Sequence, residues 1–230
     1  ILLYQGYRHL LTSQLFEVKE IVVIGNSKIG EREIKDAVGQ LPTRHALKLD
    51  LHKVEERLKA HLWVKDATVR RKLPHTLVIE MTERSPLAIV KAEGFYLVDD
   101  EGVVLNRLND SKGMRLPLIT GIPEAQEYEV GQKVSSRRLA LGLQLLKEVT
   151  ASSFFKDDAI SRLDVAHPRV TSLYTAKSKR EIRLGESNIG KDLARLQMIS
   201  EALAKKGGRI ESIDLSFKDK VVVKPRTERR

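Results

Sequence analysis

In the stretch GESNIGKD, Gly185 is followed after four residues by Gly190 and Lys191, most of the spacing with which a glycine-rich loop cradles phosphate ahead of a helix. The next position decides against that chemistry. A phosphate loop needs a Ser or Thr hydroxyl there to hold magnesium, and Asp192 supplies a carboxylate that would repel phosphate. An acidic side chain in the first turn of a helix is favoured by the helix dipole, which accounts for Asp192 without a ligand. Asp99, Asp100 and Glu101 gather three carboxylates that could serve as an acid and base pair or hold a cation. They run into Gly102 between two apolar segments, which is the composition of a hairpin turn.

The histidines are His9, His45, His52, His61, His75 and His167, and no two have the four-residue helical spacing of a zinc protease. There is no Cys to complete a thiolate site. A serine nucleophile would call for a tight Gly, Ser, Gly elbow, and none occurs. No catalytic constellation, metal site or cofactor site emerges, so the expectation is a binding protein and not an enzyme.

The elements that carry these residues must fit in 230 residues, enough for one large domain or two small ones. A net charge of +10 invites an anionic partner: nucleic acid, acidic lipid or acidic protein. Aromatics make up only 5% of the chain and no strand is rich in them, so the stacking platform of a nucleic-acid binder is missing and none is expected. Charge concentrates in the tail, where the last seven residues hold four cations and one anion. No run of eighteen apolar residues could span a bilayer, although Ile1, Leu2 and Leu3 are consistent with the last turn of a membrane helix outside the sequence.

Periodicity then orders the chain. YQGYRHLLTSQL can form a short helix, followed by a strand in FEVKEIVVIG with Val18, Val22 and Ile24 on one face and Ile21 and Val23 on the other. EREIKDAVG reads as a helix from Glu31 stopped by Gly39, and Asp50 as the N-cap of a second helix with Leu51, Val54 and Leu58 on its apolar stripe. VKDATVRRKLPHTLVIEMTE alternates as two strands around a turn at Leu73 to Thr76, one face carrying Ala67, Val69 and Arg71, then Leu77, Ile79 and Met81. Pro86 interrupts the pattern. Beyond it LAIVKA, FYLVDDEGVVL and LPLITG read as strands, and a helix runs from about Ser135 to Val149. ISRLDVA, VTSLYTA and REIRLG read as a meander, and a helix runs from about Lys191 to Lys206. In the closing pair, SIDLSFKDKVVVKPR, Ile213, Leu215 and Phe217 share a face, Asp214 and Ser216 the other, and Lys218 and Asp219 turn the chain into a last strand at Lys220 to Lys224.

The order strand, helix, helix, strand, strand, ending in WVKDATVRRKLPHTLVIEMTERSPLA, resembles the POTRA domain of the bacterial division proteins FtsQ and DivIB. Trp63 and Val64 before the hairpin, Arg71, Leu73 and Pro74 at its turn, and Glu83, Arg84 and Pro86 at its exit carry the likeness, which continues through FYLVDDEGVVL, LPLITG and IDLSF. The resemblance implies an α+β protein: a juxtamembrane helix over 1–15, a POTRA domain over 16–84, a mixed β-sheet domain with helices over 85–224, and a basic tail over 225–230. It also implies one transmembrane helix before residue 1, and a place on the extracytoplasmic side of the bacterial inner membrane at the division septum.

The same resemblance implies a scaffold without enzymatic activity or cofactor. Its partners would be FtsB and FtsL, and through them the septal peptidoglycan synthesis by FtsW and FtsI. In the family a segment of FtsB adds as a strand to the final strand of the β domain. An exposed edge offers unpaired N–H and C=O groups, which is the physical basis for such addition. The partner-binding residues expected on this basis are Asp214, Ser216, Phe217, Asp219, Val221, Val222, Val223 and Lys224. Phe217 stands where the family often has Tyr, whereas Ser216 replaces a frequent Arg, and Lys224 and Pro225 a Trp found in some members. The competing expectation is a POTRA-containing translocation or outer-membrane assembly factor.

Overall fold

The computed structural model describes residues 12–39, 43–122, 126–185, 189–206, 210–218 and 220–226. Most of the expected helix in YQGYRHLLTSQL, the loop at Pro42, Asp219 and most of the basic tail lie outside them. The chain forms two compact units, divided in sequence between Ser85 and Pro86.

The first unit contains β1 (Glu20–Ile24), α1 (Glu31–Gly39), α2 (Leu51–Lys59), β2 (Val64–Lys72) and β3 (Thr76–Glu83). The hairpin β2–β3 is antiparallel and β1 lies parallel to β3, giving the order β1-β3-β2. A parallel neighbour requires a crossover, and the two helices supply it. Strand alternation puts Ala67, Val69, Leu77, Ile79 and Met81 on the face that meets Ile34, Val38, Val54 and Leu58. Asp50 caps α2 by accepting from the backbone N–H groups of His52 and Lys53. Arg71 comes next on the inward face but sits at its end, where the guanidinium donates to the carbonyls of Ala46 and Leu49.

Val18 departs from the alternation read in the sequence. It packs on the core beside Ile21 and Val23. The regular strand begins only at Glu20, and before it Val18 donates its N–H to the carbonyl of Arg44 at 2.8 Å, so residue parity does not carry back across Lys19. At the far end of the hairpin the Glu83 carboxylate accepts from the N–H groups of Ser27, Lys28 and Ile29 at 2.7 to 2.9 Å, fastening the loop before α1. Burial pushes this carboxyl up, but those hydrogen bonds and the Lys28 charge outweigh it and hold the group below the usual carboxylate range.

The second unit opens with β4 (Pro86–Lys91), β5 (Phe95–Asp99), β6 (Val104–Leu108), β7 (Leu118–Thr120) and α3 (Arg137–Ala151). It continues with β8 (Ile160–Asp164), β9 (Val170–Thr175), β10 (Glu181–Gly185), α4 (Ile189–Lys206), β11 (Ile210–Asp214) and β12 (Val222–Pro225). All nine strands form one sheet in the order β12-β11-β10-β9-β8-β7-β4-β5-β6. β4, β7 and β8 run parallel, as do β10 and β11, and the remaining neighbours are antiparallel. From α3, Leu139, Leu143, Leu146 and Val149 join Ile119, Leu163, Leu173, Ile182 and Ile213 of the sheet in one core. Gly142 permits the close approach, since a Cβ there would stand 3.0 Å from Leu163 Cδ2. The α4 helix provides the crossover that parallel β10 and β11 demand.

Candidate strand-addition edge

β12 is the first strand in the sheet order, and among the described residues β11 is its one neighbour. The antiparallel register sets Asp214 opposite Val222, Ile213 opposite Val223 and Ser212 opposite Lys224, with an irregularity between Ile210 and Ser212. Along an edge strand alternate backbone groups point away from the sheet, so the outer side of β12 is a row of donors and acceptors available to another chain. Pro225 ends the row because it has no N–H.

The connection from β11 to β12 is held by a side chain that the sequence analysis did not single out. Arg195, half-buried on α4's second turn, donates to the carbonyls of Leu215, Phe217 and Lys220 at 2.9 to 3.4 Å. The same guanidinium pairs with Asp192 at 3.2 Å, and Asp192 in turn accepts from the N–H of Gly185 at 3.2 Å. This chain of contacts runs from the end of β10 through α4 to the turn that delivers β12. Its sequence signal was an Arg three residues after Asp192 on a helix, where the two side chains are neighbours. It also settles the role of GESNIGKD in part: Asp192 is buried and spent on Gly185 and Arg195.

Six of the expected contact residues fall into three groups. Asp214 and Ser216 turn inward on each other, the Asp214 carboxylate accepting from the Ser216 N–H at 2.9 Å and from its hydroxyl at 2.6 Å, a local turn that ends β11. Asp214 also stands 3.8 Å from Arg183. The hydrogen bond to Glu181, its charge, and to a smaller degree Asp214 raise the Arg183 pKa above its ordinary value against the lowering effect of burial. Val221 and Val223 are half-buried against the core, whereas Val222 between them is 46% exposed. Lys224 is exposed and ion-paired with Glu211 at 3.0 Å.

Phe217 corrects one expectation. It lies beyond the end of β11 and is 44% exposed, while Ile213 and Leu215, expected on its face, are each 1% exposed. The Asp214 turn breaks the alternation, so Phe217 is carried in the connection with Lys220 Nζ 4.6 Å over its ring. The last strand also begins two residues later than expected, at Val222, and includes Pro225. Asp219 lies outside the described residues.

The other candidates resolve into structure. Asp99 accepts from the N–H groups of Glu101 and Val103 at 2.9 and 2.8 Å and so closes the β5–β6 turn, where Gly102 takes a φ of +80°. Asp100 pairs with Lys147 at 2.8 Å. Among the described residues no three His, Asp or Glu side chains gather as a metal site, and no helix is long and apolar enough to cross a membrane.

Residues 16–84 match the family described as POTRA domain, FtsQ-type, and residues 88–216 the family described as Cell division protein FtsQ/DivIB, C-terminal. The second match stops at Ser216 and does not include β12. Among full-length relatives, the cell division protein FtsQ of Syntrophotalea carbinolica is 31% identical over 94% of this chain and 76% of its own length. That of Anaeromyxobacter sp. strain K is 34% identical over 91% of this chain and 71% of its own length, and that of Geobacter sp. strain M21 30% identical over 96% and 80%.

Proposed function

The chain belongs to the FtsQ/DivIB family of cell division proteins, and on that premise we propose that it is a non-enzymatic scaffold of the divisome that binds FtsB and FtsL by strand addition to β12. Through that contact it helps couple septum assembly to peptidoglycan synthesis by FtsW and FtsI. A transmembrane helix ahead of residue 1 anchors it in the inner membrane, with both units on the extracytoplasmic side.

The observation that carries the reading is the free side of β12, presented with its short flanking side chains Val221 and Val223 against the core and Val222 toward solvent. A partner strand gains a backbone ladder there without demanding side-chain specificity. Arg195 supports the reading by fixing the turn that precedes the edge, because a preordered edge loses less entropy on binding. The match of the second unit to the FtsQ/DivIB C-terminal family favours this function over a translocation factor.

The test is binding of this chain to the periplasmic parts of FtsB and FtsL from the same organism, with Val222→Pro and Phe217→Ala for comparison. The reading expects binding to be lost with Val222→Pro and weakened with Phe217→Ala, circular dichroism being unchanged in both. Wild-type affinity retained by a folded Val222→Pro variant would remove the edge from the interface.

A further inference from the structure

A groove of about 400 Å³ opens in the second unit well away from β12. Its floor is Leu146 and Val149, from the last turns of α3, and Phe155 from the short 3-10 turn at Ser153–Phe155; Leu87 forms a wall. Arg115 and Lys156 are among its lining residues, both are exposed, and neither pairs with a carboxylate among the described residues. No acidic side chain is among the described lining residues. The remaining polar side chain, Thr150, spends its hydroxyl on the carbonyl of Leu146 at 2.6 Å.

We propose that this groove is a second docking site, taking a bulky apolar side chain from an acidic segment of a partner protein. The chemistry of the lining selects that occupant. An apolar floor receives an aliphatic or aromatic anchor of the kind that dominates protein interfaces, and two cationic lining residues without a carboxylate partner among the described residues favour acidic groups beside it. The net charge of +10 draws the same class of partner from a distance. Small-molecule sites need several placed hydrogen-bonding groups to fix orientation, and among the described lining side chains only the two long, exposed cations remain for that, since the Thr150 hydroxyl is spent.

The position in the sheet agrees. The groove lies where β4, β7 and β8 begin, through Pro86, Pro117 and Ile160. Those three strands run parallel to one another within a mixed sheet, so the groove collects their amino ends. From β12 to β8, the groove strand nearest the edge, there are four strand spacings, roughly 19 Å at about 4.8 Å each, so one partner can occupy the edge while another fills the groove.

The experiment titrates the isotope-labelled 230-residue chain with a capped acidic heptapeptide carrying a central Leu-Phe pair, following backbone amide shifts. Shifts at Leu87, Val149, Thr150 and Lys156 are expected, with affinity at least fivefold weaker for a peptide with amides in place of the carboxylates. Replacing the Leu-Phe pair with alanines should abolish the shifts. The double variant Arg115→Glu, Lys156→Glu changes only exposed side chains and should reduce acidic-peptide affinity at least fivefold while leaving the amide spectrum elsewhere intact. No shifts around the groove at millimolar peptide, or an affinity indifferent to the carboxylates, would overturn the proposal. Dodecanoate shifting these amides where the peptide does not would also overturn it, and would make the groove a site for anionic amphiphiles. FtsB and FtsL binding at β12 is expected to be unaffected by the double variant.

Discussion

Arg195→Ala should loosen the edge of the sheet without unfolding the unit behind it. The guanidinium bonds to the Phe217 and Lys220 carbonyls are exposed, so water replaces much of their strength once the side chain is removed. The larger loss is Asp192, whose side chain is 9% exposed and would keep the Gly185 N–H but lose its ion partner. Breaking a fully buried pair costs about 3–5 kcal/mol, and with Arg195 at 22% exposure the expected cost is about 2–3 kcal/mol. At about 1.4 kcal/mol per tenfold, amides at 215–223 should exchange about 30- to 150-fold faster, while those of β4 to β6 keep their protection. Amide exchange read by NMR separates these regions. Arg195→Lys should recover less than half of the protection, because an ammonium cannot reproduce the fork that reaches three carbonyls. A change under threefold at 215–223, or an equal change in β4 to β6, would refute the idea that Arg195 orders the edge.

Glu83→Gln should flatten the acid sensitivity of the first unit. The folded Glu83 pKa lies below its unfolded value of about 4.3, so its stabilisation is complete above that pH and is lost as pH falls through the folded value. Urea midpoints between pH 3 and 7 should therefore converge for wild type and variant toward the acid end; parallel curves would exclude the Glu83 contacts as the cause. Gly25→Ala should destabilise the first unit by more than about 2 kcal/mol, since φ is +91° there and a Cβ would sit 2.1 Å from the Met81 carbonyl oxygen. A thermal midpoint within a degree of wild type would contradict that geometry. Leu163→Ala removes a fully buried side chain beneath α3 and should cost the second unit about 2–5 kcal/mol in chemical denaturation.

Local features were legible where one physical rule acted alone. Alternation placed Ala67, Val69, Leu77, Ile79 and Met81 in the core, and Asp50 and Gly39 marked helix ends. The turn reading of Asp99 to Gly102 was equally local. Strand parity fails at Val18 and Phe217 because both lie outside the regular strands, Val18 before Glu20 and Phe217 after Asp214. The parallel pairing of β4 with β7 and β7 with β8 joins segments far apart in sequence, and periodicity carries no term for such pairs. The larger role of Arg195 is invisible to sequence pattern for a related reason. Helical spacing alone pairs it with Asp192, and that larger role exists only once the Phe217 and Lys220 carbonyls arrive from 22 and 25 residues away. The candidate edge itself could be suspected from the last strand, but its free side depends on the whole sheet order.

The measurement closest to the central claim is amide exchange of this chain with and without the periplasmic part of FtsB and FtsL. Strand addition predicts that protection rises at 222–224, at alternate residues whose N–H groups face away from β11, while Pro225 contributes none. Saturating partner with 222–224 unchanged, and new protection confined to other strands, would contradict it.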